Sequence, residues 1–567
     1  MGSSSGVTLL LENSAAQVFQ GQASVTVNAT VTRSGSAGNV LLRVSGLPQG
    51  ASDTIQSPGS GDSGSVTFDA GTAAVGTYPV TVTASDGSVS SNETLNLTIG
   101  AATIIFSGTN GTFSVAMSTS FQPAEWDYQF FTLNPTATTT LGNLGSRHIR
   151  LQGISQGIPQ GSEGTSSATW NFTMLDAITQ PVLSVGDHSP EFQIAKAPAF
   201  MYSGNSTGNS FLDLTFTQFA GYTQNLVEYY NVPGGFTAAD GNHASPSGLP
   251  ITWWGIYNEP NINNNLTPQQ YTNMYNKVVP AMQAVDPSIK LAALELADFY
   301  GQASAWVPTF VNGVTAHVDV MATHFYSTCN QKDLDTQIFD TVPGFVTDIE
   351  FFYTHMATNP ALATAPVWVT ENNVNADYDK GGGISACNGT TFVPDQRGSS
   401  PFFAAWRPYV FSQLGKAGVQ ALYHWDFDAD VEFGEVDYST GKLQLSYWVD
   451  YALGKMFPPA AGAHLLPYQA TDDAELETLP VVNSDGSVVI MVANRAVSAA
   501  GDNNGPGVPR SVLIDVSALG NFSTGSLLVI DKSTSVANGP TAAAVTPAAQ
   551  IPITLNGYSV AFLTLKP

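Results

Sequence analysis

The chain has 567 residues, 43% of them hydrophobic, with 18 Lys and Arg against 44 Asp and Glu, a formal net charge of −26. That length exceeds one ordinary core and predicts two to four domains, while the hydrophobic share excludes a disordered chain. No basic cluster is present to hold nucleic acid or an anionic membrane, and no apolar run reaches membrane-spanning length, so neither partner is expected. Charged residues are only 11%, a composition common in secreted proteins. The opening Met1-Gly2-Ser3-Ser4-Ser5-Gly6 reads as an added leader, so a signal peptide is expected to have been removed and the location to be secreted or periplasmic. Two cysteines, Cys329 and Cys387, are too few for a disulfide scaffold or a cysteine-only zinc site.

Residues 7–100 alternate with period two. Val25-Thr26-Val27, Val40 to Val44, Ser65 to Phe68 and Tyr78 to Thr83 read as strands with one wet face, separated by turns such as Pro48-Gln49-Gly50 and Ser85-Asp86-Gly87. The pattern predicts an immunoglobulin-like β-sandwich without the Cys-Trp-Cys core of antibody domains. Its expected role is a spacer; sugar binding is the lesser reading, because no clustered aromatics occur there.

From residue 101 strands alternate with helical stretches up to 458, predicting a (β/α)8 TIM barrel. Phe113 to Met117 reads as its first strand, Arg147 to Gly153 as the second and Glu191 to Ala195 as the third, with a helix opening near Trp170 and running through Leu183 between the last two. His148, Arg150 and Gln152 share one face of the second strand. The fourth, Trp253 to Tyr257, stops in Asn258-Glu259-Pro260-Asn261, where Pro260 cannot extend a ladder. Thr267-Pro268-Gln269-Gln270 is a capped helix start, and Asp286-Pro287 ends that helix. Lys290 to Leu296 and Val318 to Phe325 follow as strands five and six. Pro366 to Asn373 is the seventh, carrying Thr370-Glu371, and Ala421 to Trp425 is the eighth after a helix over Phe402 to Lys416. Residues 459–567 return to alternation, with strands at Ser487 to Val492, Ser511 to Ile514, Leu527 to Ile530 and Ser559 to Leu563. They predict a second β-sandwich packed on the barrel, with a strand borrowed from residues 102–106.

Strand ends four and seven each leave a carboxyl at the lip where barrels carry chemistry, and two such carboxyls suit a glycosidic bond. Glu295, in Leu294-Glu295-Leu296, reads equally as a lip ligand and as half of a structural ion pair. Asp426, Asp428 and Asp430 read as a hydrogen-bonded loop, with calcium or substrate binding as the lesser alternative. Trp425 and Trp254 each suit either a sugar face or the core. A guanidinium at Arg150 would hold a nearby nucleophile ionised.

The barrel, roughly residues 110 to 457, resembles retaining glycoside hydrolases of clan A, most closely the β-xylosidase-like family 39. The motifs that carry this come in order: Asn171-Phe172 with Leu175-Asp176 and Pro190, Asn258-Glu259-Pro260-Asn261, Val285-Asp286-Pro287-Ser288, Thr323-His324-Phe325-Tyr326 and Thr370-Glu371. The resemblance implies Glu259 as acid/base and Glu371 as nucleophile, in a double displacement that needs no metal or cofactor. It implies further that Asn258 bonds the substrate 2-hydroxyl and that Tyr326 orients the nucleophile. His324, beside the lip, reads equally as a core histidine and as a partner of a sugar hydroxyl, and it stands with Arg150, Gln152 and Trp425 as a candidate to line the sugar site. The sequence departs from the family at Asn372-Asn373, where an aromatic is usual, at Gln152, where His is frequent, and at Ala292-Ala293-Leu294 in place of Gly-Gly-Pro. These departures bear on which sugar is bound rather than on reaction type. With few barrel arginines (Arg147, Arg150, Arg397, Arg407), neutral sugars such as xylose, arabinose, galactose or glucose are expected ahead of uronic acids. The alternative is a carbohydrate-binding or cell-surface protein on a barrel that has lost catalysis, which retention of both Glu residues argues against. Sequence leaves linkage, exo or endo action and oligomeric state open. Cys329 and Cys387 follow successive strands, which are barrel neighbours, so a disulfide across the mouth is expected ahead of two buried thiols.

Overall fold

A computed structural model describes residues 6–21, 24–35, 38–108, 110–113, 116–121, 129–152, 169–185, 189–205, 208–262, 266–297, 305–472 and 474–567. Eight parallel strands close a barrel: Ala116–Phe121, Ile149–Leu151, Glu191–Ile194, Trp253–Ile256, Lys290–Leu296, Val320–Thr328, Val367–Asn375 and Ala421–His424. The first strand pairs with both the second and the eighth, which completes the ring. Helices Ala137–Leu144, Thr173–Leu183, Thr217–Asn231, Pro268–Val285, Trp306–Gly313, Asp335–Met356 and Phe403–Lys416 connect consecutive strands, and Leu445–Met456 follows the eighth. The Thr267 hydroxyl accepts from the Gln270 N–H while the Gln270 side chain returns to the Thr267 N–H, the reciprocal cap expected for that helix.

Period-two alternation sorts the barrel residues. Trp253, Ala292, Val320, Trp368 and Tyr423 form an inward cluster, whereas Trp254, Leu291, Met321, Val369 and Leu422 face the helices. Trp254 is fully buried against Phe192 and Tyr230, so it is core and not a sugar platform. His148 lies in the inward layer over Trp368, away from the lip.

The segment expected to open the barrel divides. Asn110–Phe113 pairs with Ala463–Leu465 and so belongs to the C-terminal sheets, beside Ala102–Phe106, the expected borrowed strand, which pairs with Tyr468–Ala470 and Arg510–Asp515. The barrel starts at Ala116, three residues beyond Phe113; the Ser114 and Val115 of that expected strand, and Gly153 of the second, lie outside the described residues. A short alternating run looks the same whichever sheet it joins, which is why the sequence misplaces this strand.

The C-terminal region has a seven-stranded and a four-stranded sheet. In its strand Val488–Asn494, Val488, Ile490 and Val492 face the second sheet while Val489, Met491 and Ala493 join the barrel's core cluster. A sheet buried on both faces needs a continuous apolar run, and this strand supplies one. The contact is reinforced where Lys416 reaches Glu477 at 2.7 Å, and where Asp335 accepts from the N–H groups of Asn504 and Gly505 and from the Tyr558 hydroxyl. Residues 6–100 form two four-stranded sheets around a core of their own.

Cys329 and Cys387 are bonded, with Cα atoms 5.9 Å apart and a sequence separation of 58. The bridge ties the loop after strand six to the glycine-rich loop after strand seven. Closing that length of chain is worth roughly 4 kcal/mol on the chain-entropy model. Reduction is expected to lower the melting temperature of the barrel and leave the N-terminal sheets folded, read by calorimetry with and without reductant. Two titratable thiols in unreduced, denatured protein would contradict the bridge.

Candidate active site

The lip between strands four and seven is shaped by backbone departures from the regular pleat. Strand pairing slips between Leu294 and Leu296 on strand five, leaving Glu295 as the extra residue, and slips again between Thr323 and His324 against strand seven. Bulges of this kind re-aim side chains. Tyr257, Glu259, Leu294 and Glu295 all have positive φ (71°, 47°, 78° and 44°), a region costly for side-chain-bearing residues and held only where surroundings over-determine it. The Glu259 N–H donates to the Glu295 carbonyl at 3.0 Å, so the two distorted strand ends brace one another.

The side chains converge on Arg150, which is fully buried. Its Nη1 donates to Glu371 Oε1 and to Gln152 Oε1, both at 2.9 Å. Nη2 donates to Asn258 Oδ1 at 2.9 Å and to Glu295 Oε2, and Nε donates to the same Glu295 oxygen at 3.1 Å. Burial works against the guanidinium charge, but the Glu295 and Glu371 carboxylates hold it firmly ionised. Because Asn258 presents its carbonyl oxygen to Arg150, its amide orientation is set.

Glu371 Oε2 accepts from the Tyr326 hydroxyl at 2.9 Å. Burial, with the Glu371 and Glu259 charges, raises the Tyr326 pKa well above its ordinary value, so the phenol keeps its proton and donates. His324 Nδ1 stands 3.1 Å from Glu259 Oε1 and 3.4 Å from Glu371 Oε2, and Nε2 is 3.9 Å from Glu295 Oε2. Burial lowers the imidazole pKa, but the Glu371 charge and the Glu259 and Glu295 contacts outweigh it and carry the value up to about 9. One carboxylate oxygen of Glu259, one of Glu371 and a ring nitrogen of His324 all lie within 4.8 Å of one another. Glu259 is the more open of the pair, its side chain 17% exposed against 7% for Glu371.

Glu259, Glu371, Asn258, His324, Tyr326, Arg150 and Gln152 therefore fall in one cluster at the lip, with Trp425 at its edge, while Trp254 and His148 stand apart from it. The Trp425 N–H donates to the Asn372 carbonyl, and its half-buried ring lies 6.4 Å from Tyr326 and 4.7 Å from Phe433. The Asn372 that replaces the usual aromatic turns outward, accepting from Arg407 and donating to the Phe325 carbonyl at 2.7 Å. Asp426 is buried and held largely protonated by burial and by the Asp428 and Glu371 charges. Sequence reasoning did not single out Glu191, fully buried one layer below. A carboxylate and an amide alternating with Phe192 and Ile194 on one short strand were its available signal.

No curated protein matches the sequence. The family model described as the glycosyl hydrolase catalytic core matches residues 247–392. Among solved structures, the chain is similar to a monomeric β-xylosidase from Caulobacter crescentus CB15 (16% identity, 82% of this chain and 99% of that one, TM-score 0.56). It is also similar to the GH39 enzyme from Xanthomonas axonopodis pv. citri (16%, 82% and 97%, 0.55) and to a thermostable GH51 α-L-arabinofuranosidase from Thermotoga petrophila RKU-1 (14%, 82% and 100%, 0.56). At these identities the likeness establishes the fold. The resemblance to clan A glycoside hydrolases read from the motifs is thus met again in the family model and in the architecture.

Burial and the Glu295 charge push the Glu191 pKa up to about 8 from 4.5. Folded Glu191 holds its proton more tightly than the unfolded chain does, so this stability is fully present below pH 4.5 and is lost as pH rises toward 8. His324 adds a loss of the same sign, centred higher. Glu191→Gln is expected to flatten the fall in melting temperature between pH 5 and 8, measured by calorimetry. Parallel curves for wild type and variant would refute the assignment.

Proposed function

We propose that this protein is a retaining glycoside hydrolase acting by double displacement, with Glu371 as nucleophile and Glu259 as acid/base. The observation that carries the reading is that one carboxylate oxygen of Glu259 and one of Glu371 lie within 4.8 Å of each other, with His324 Nδ1 in contact with both side chains. Retaining pairs stand about 5–5.5 Å apart, whereas inverting pairs leave about 6.5–9.5 Å for a water. The surroundings divide the roles. Glu371, gripped by Arg150 and Tyr326 and the less exposed of the two, is aimed for attack at the anomeric carbon. Glu259, more open and in contact with His324, gives its proton to the leaving oxygen and afterwards takes one from water. Asn258, its amide oriented by Arg150, donates to the 2-hydroxyl, and Gln152 and Trp425 contact the sugar.

The substrate we infer is a neutral sugar of an oligo- or polysaccharide. Arg150, Arg397 and Arg407 are consumed by Glu295 and Glu371, by Asp395, and by Asp450, so none of these three is left to meet a uronate. The xylosidase and arabinofuranosidase among the similar structures make xylosides and arabinosides the first to assay. The disulfide supports a location outside the cytosol. The N-terminal sheets we read as an immunoglobulin-like spacer; among the described residues their exposed large apolar side chains are Leu10, Leu41 and Val75, none of them aromatic.

Glu371→Gln is expected to abolish turnover of every substrate. Glu259→Ala is expected to slow unactivated substrates by about 10²–10⁴-fold while sparing glycosyl transfer from good leaving groups, with azide restoring rate. NMR of the first-formed product on aryl glycosides should show the anomeric configuration of the substrate. An inverted first product would overturn the mechanism; loss of neither activity in the two variants would overturn the residue assignment.

A further inference from the structure

Glu295 lies at the junction of everything that orients the carboxylate pair, yet its side chain is completely buried and cannot touch a bound sugar. Its carboxylate takes two donors of Arg150, and Arg150 in turn grips Glu371 and Asn258. The same oxygen stands 3.9 Å from Nε2 of His324, whose Nδ1 faces Glu259 and Glu371. Its main-chain carbonyl receives the Glu259 N–H. One residue is thus connected to both carboxylates through two separate cations, and to one of them through the backbone as well.

The fold makes specific provision for it. Regular alternation on strand five would turn Glu295 outward with Leu291 and Ala293, and the bulge between Leu294 and Leu296 turns it inward at the cost of two positive-φ residues. The neighbouring strand carries glycine where Glu295 arrives: a Cβ at Gly255 would lie 2.0 Å from Glu295 Oε1. Backbone strain and a cleared position on the next strand, both directed at one buried acid, are hard to explain as filling.

Resting on the retaining reading above, we propose that Glu295 is a positioning residue that fixes Arg150 and His324 as a paired cationic cradle for Glu371 and Glu259 through both half-reactions. Without the anion, Arg150 is free to close on Glu371 with both arms, and His324 loses the contact that opposes its pull toward the carboxylate pair. Either movement shifts the nucleophile from its line of attack, and a displacement of about 1 Å costs on the order of 10²-fold in rate.

The test is Glu295→Gln, which keeps size and shape and removes the charge, alongside Gly255→Ala, which leaves the charge and displaces it. Active sites are counted with a slow 2-deoxy-2-fluoro glycoside, so that misfolded molecules do not enter kcat. Both variants are expected to lose about 10- to 100-fold in kcat per titrated site with KM within about threefold, and Glu295→Asp to recover part of the loss. In the ligand-free proteins, the ¹⁵N shifts of the His324 ring should move in Glu295→Gln, a readout independent of which glycoside is turned over. A Glu295→Gln variant with kcat per site within threefold of wild type and an unmoved His324 would overturn the proposal. A wild-type protein that is never labelled would instead overturn the glycosidase reading, leaving the His324 shift to judge the role of Glu295.

Discussion

The Arg150 guanidinium, sealed inside the barrel beneath its lip, is the constraint the rest of the site answers to. A buried cation survives only if its partners return what desolvation takes, and breaking such a pair is strongly destabilising because it strands a charge. Arg150 meets this with five hydrogen bonds to four side chains drawn from strands two, four, five and seven. Its planar fork dictates where those partners stand, so the demand of one charge becomes the placement of Gln152, Asn258, Glu295 and Glu371. Lysine, a point charge with a flexible stem, would satisfy the electrostatics and lose the geometry.

Around that centre the barrel is built in layers. His148, Trp253 and Trp368 seal the lower end with rings packed tilted and edge to face, Glu191 and Glu295 occupy the polar level above them, and the carboxylate pair stands at the lip. Outside, the helices are backed on one side by the C-terminal seven-stranded sheet, whose inward face shares the barrel's core. Phe411 and Phe457 of the barrel lie against each other at 5.7 Å, and Phe457 meets Phe562 of the sheet at 6.3 Å.

How much of this the sequence disclosed follows from how side chains are aimed. Glu259 was legible because a proline and two asparagines break an apolar strand around it. Glu371 was legible through an ordered series of motifs, although strict alternation from Trp368 would have pointed Thr370 inward and Glu371 away. Glu295 stayed ambiguous for the same geometric reason: a one-residue bulge reverses its facing, and bulges leave no mark in a period-two pattern. Trp254 is fixed by alternation as outward, opposite Trp253, but its burial depends on helices far along the chain. The strand at 110–113 illustrates the remaining limit, since local pattern names a strand and long-range pairing decides its sheet, whereas the strand at 102–106 joins the C-terminal sheet as expected.

The charges of the site layer also say why this arrangement suits a two-step displacement. Arg150 and His324 are the two cations that face the carboxylate pair of the proposed reaction. In that proposed reaction the glycosyl ester removes a charge from the nucleophile while proton donation places one on the acid. The sum is unchanged, and only the location of one negative charge moves, over a gap of at most 4.8 Å between facing oxygens. His324 Nδ1 stands almost midway, 3.1 Å from one oxygen and 3.4 Å from the other, so the same cation serves the charge in either place without travelling. A preorganised environment costs least when it need not rearrange as charge shifts. A fixed histidine between two carboxylates, anchored by a third that takes no part in the chemistry, meets that condition for both halves of the reaction.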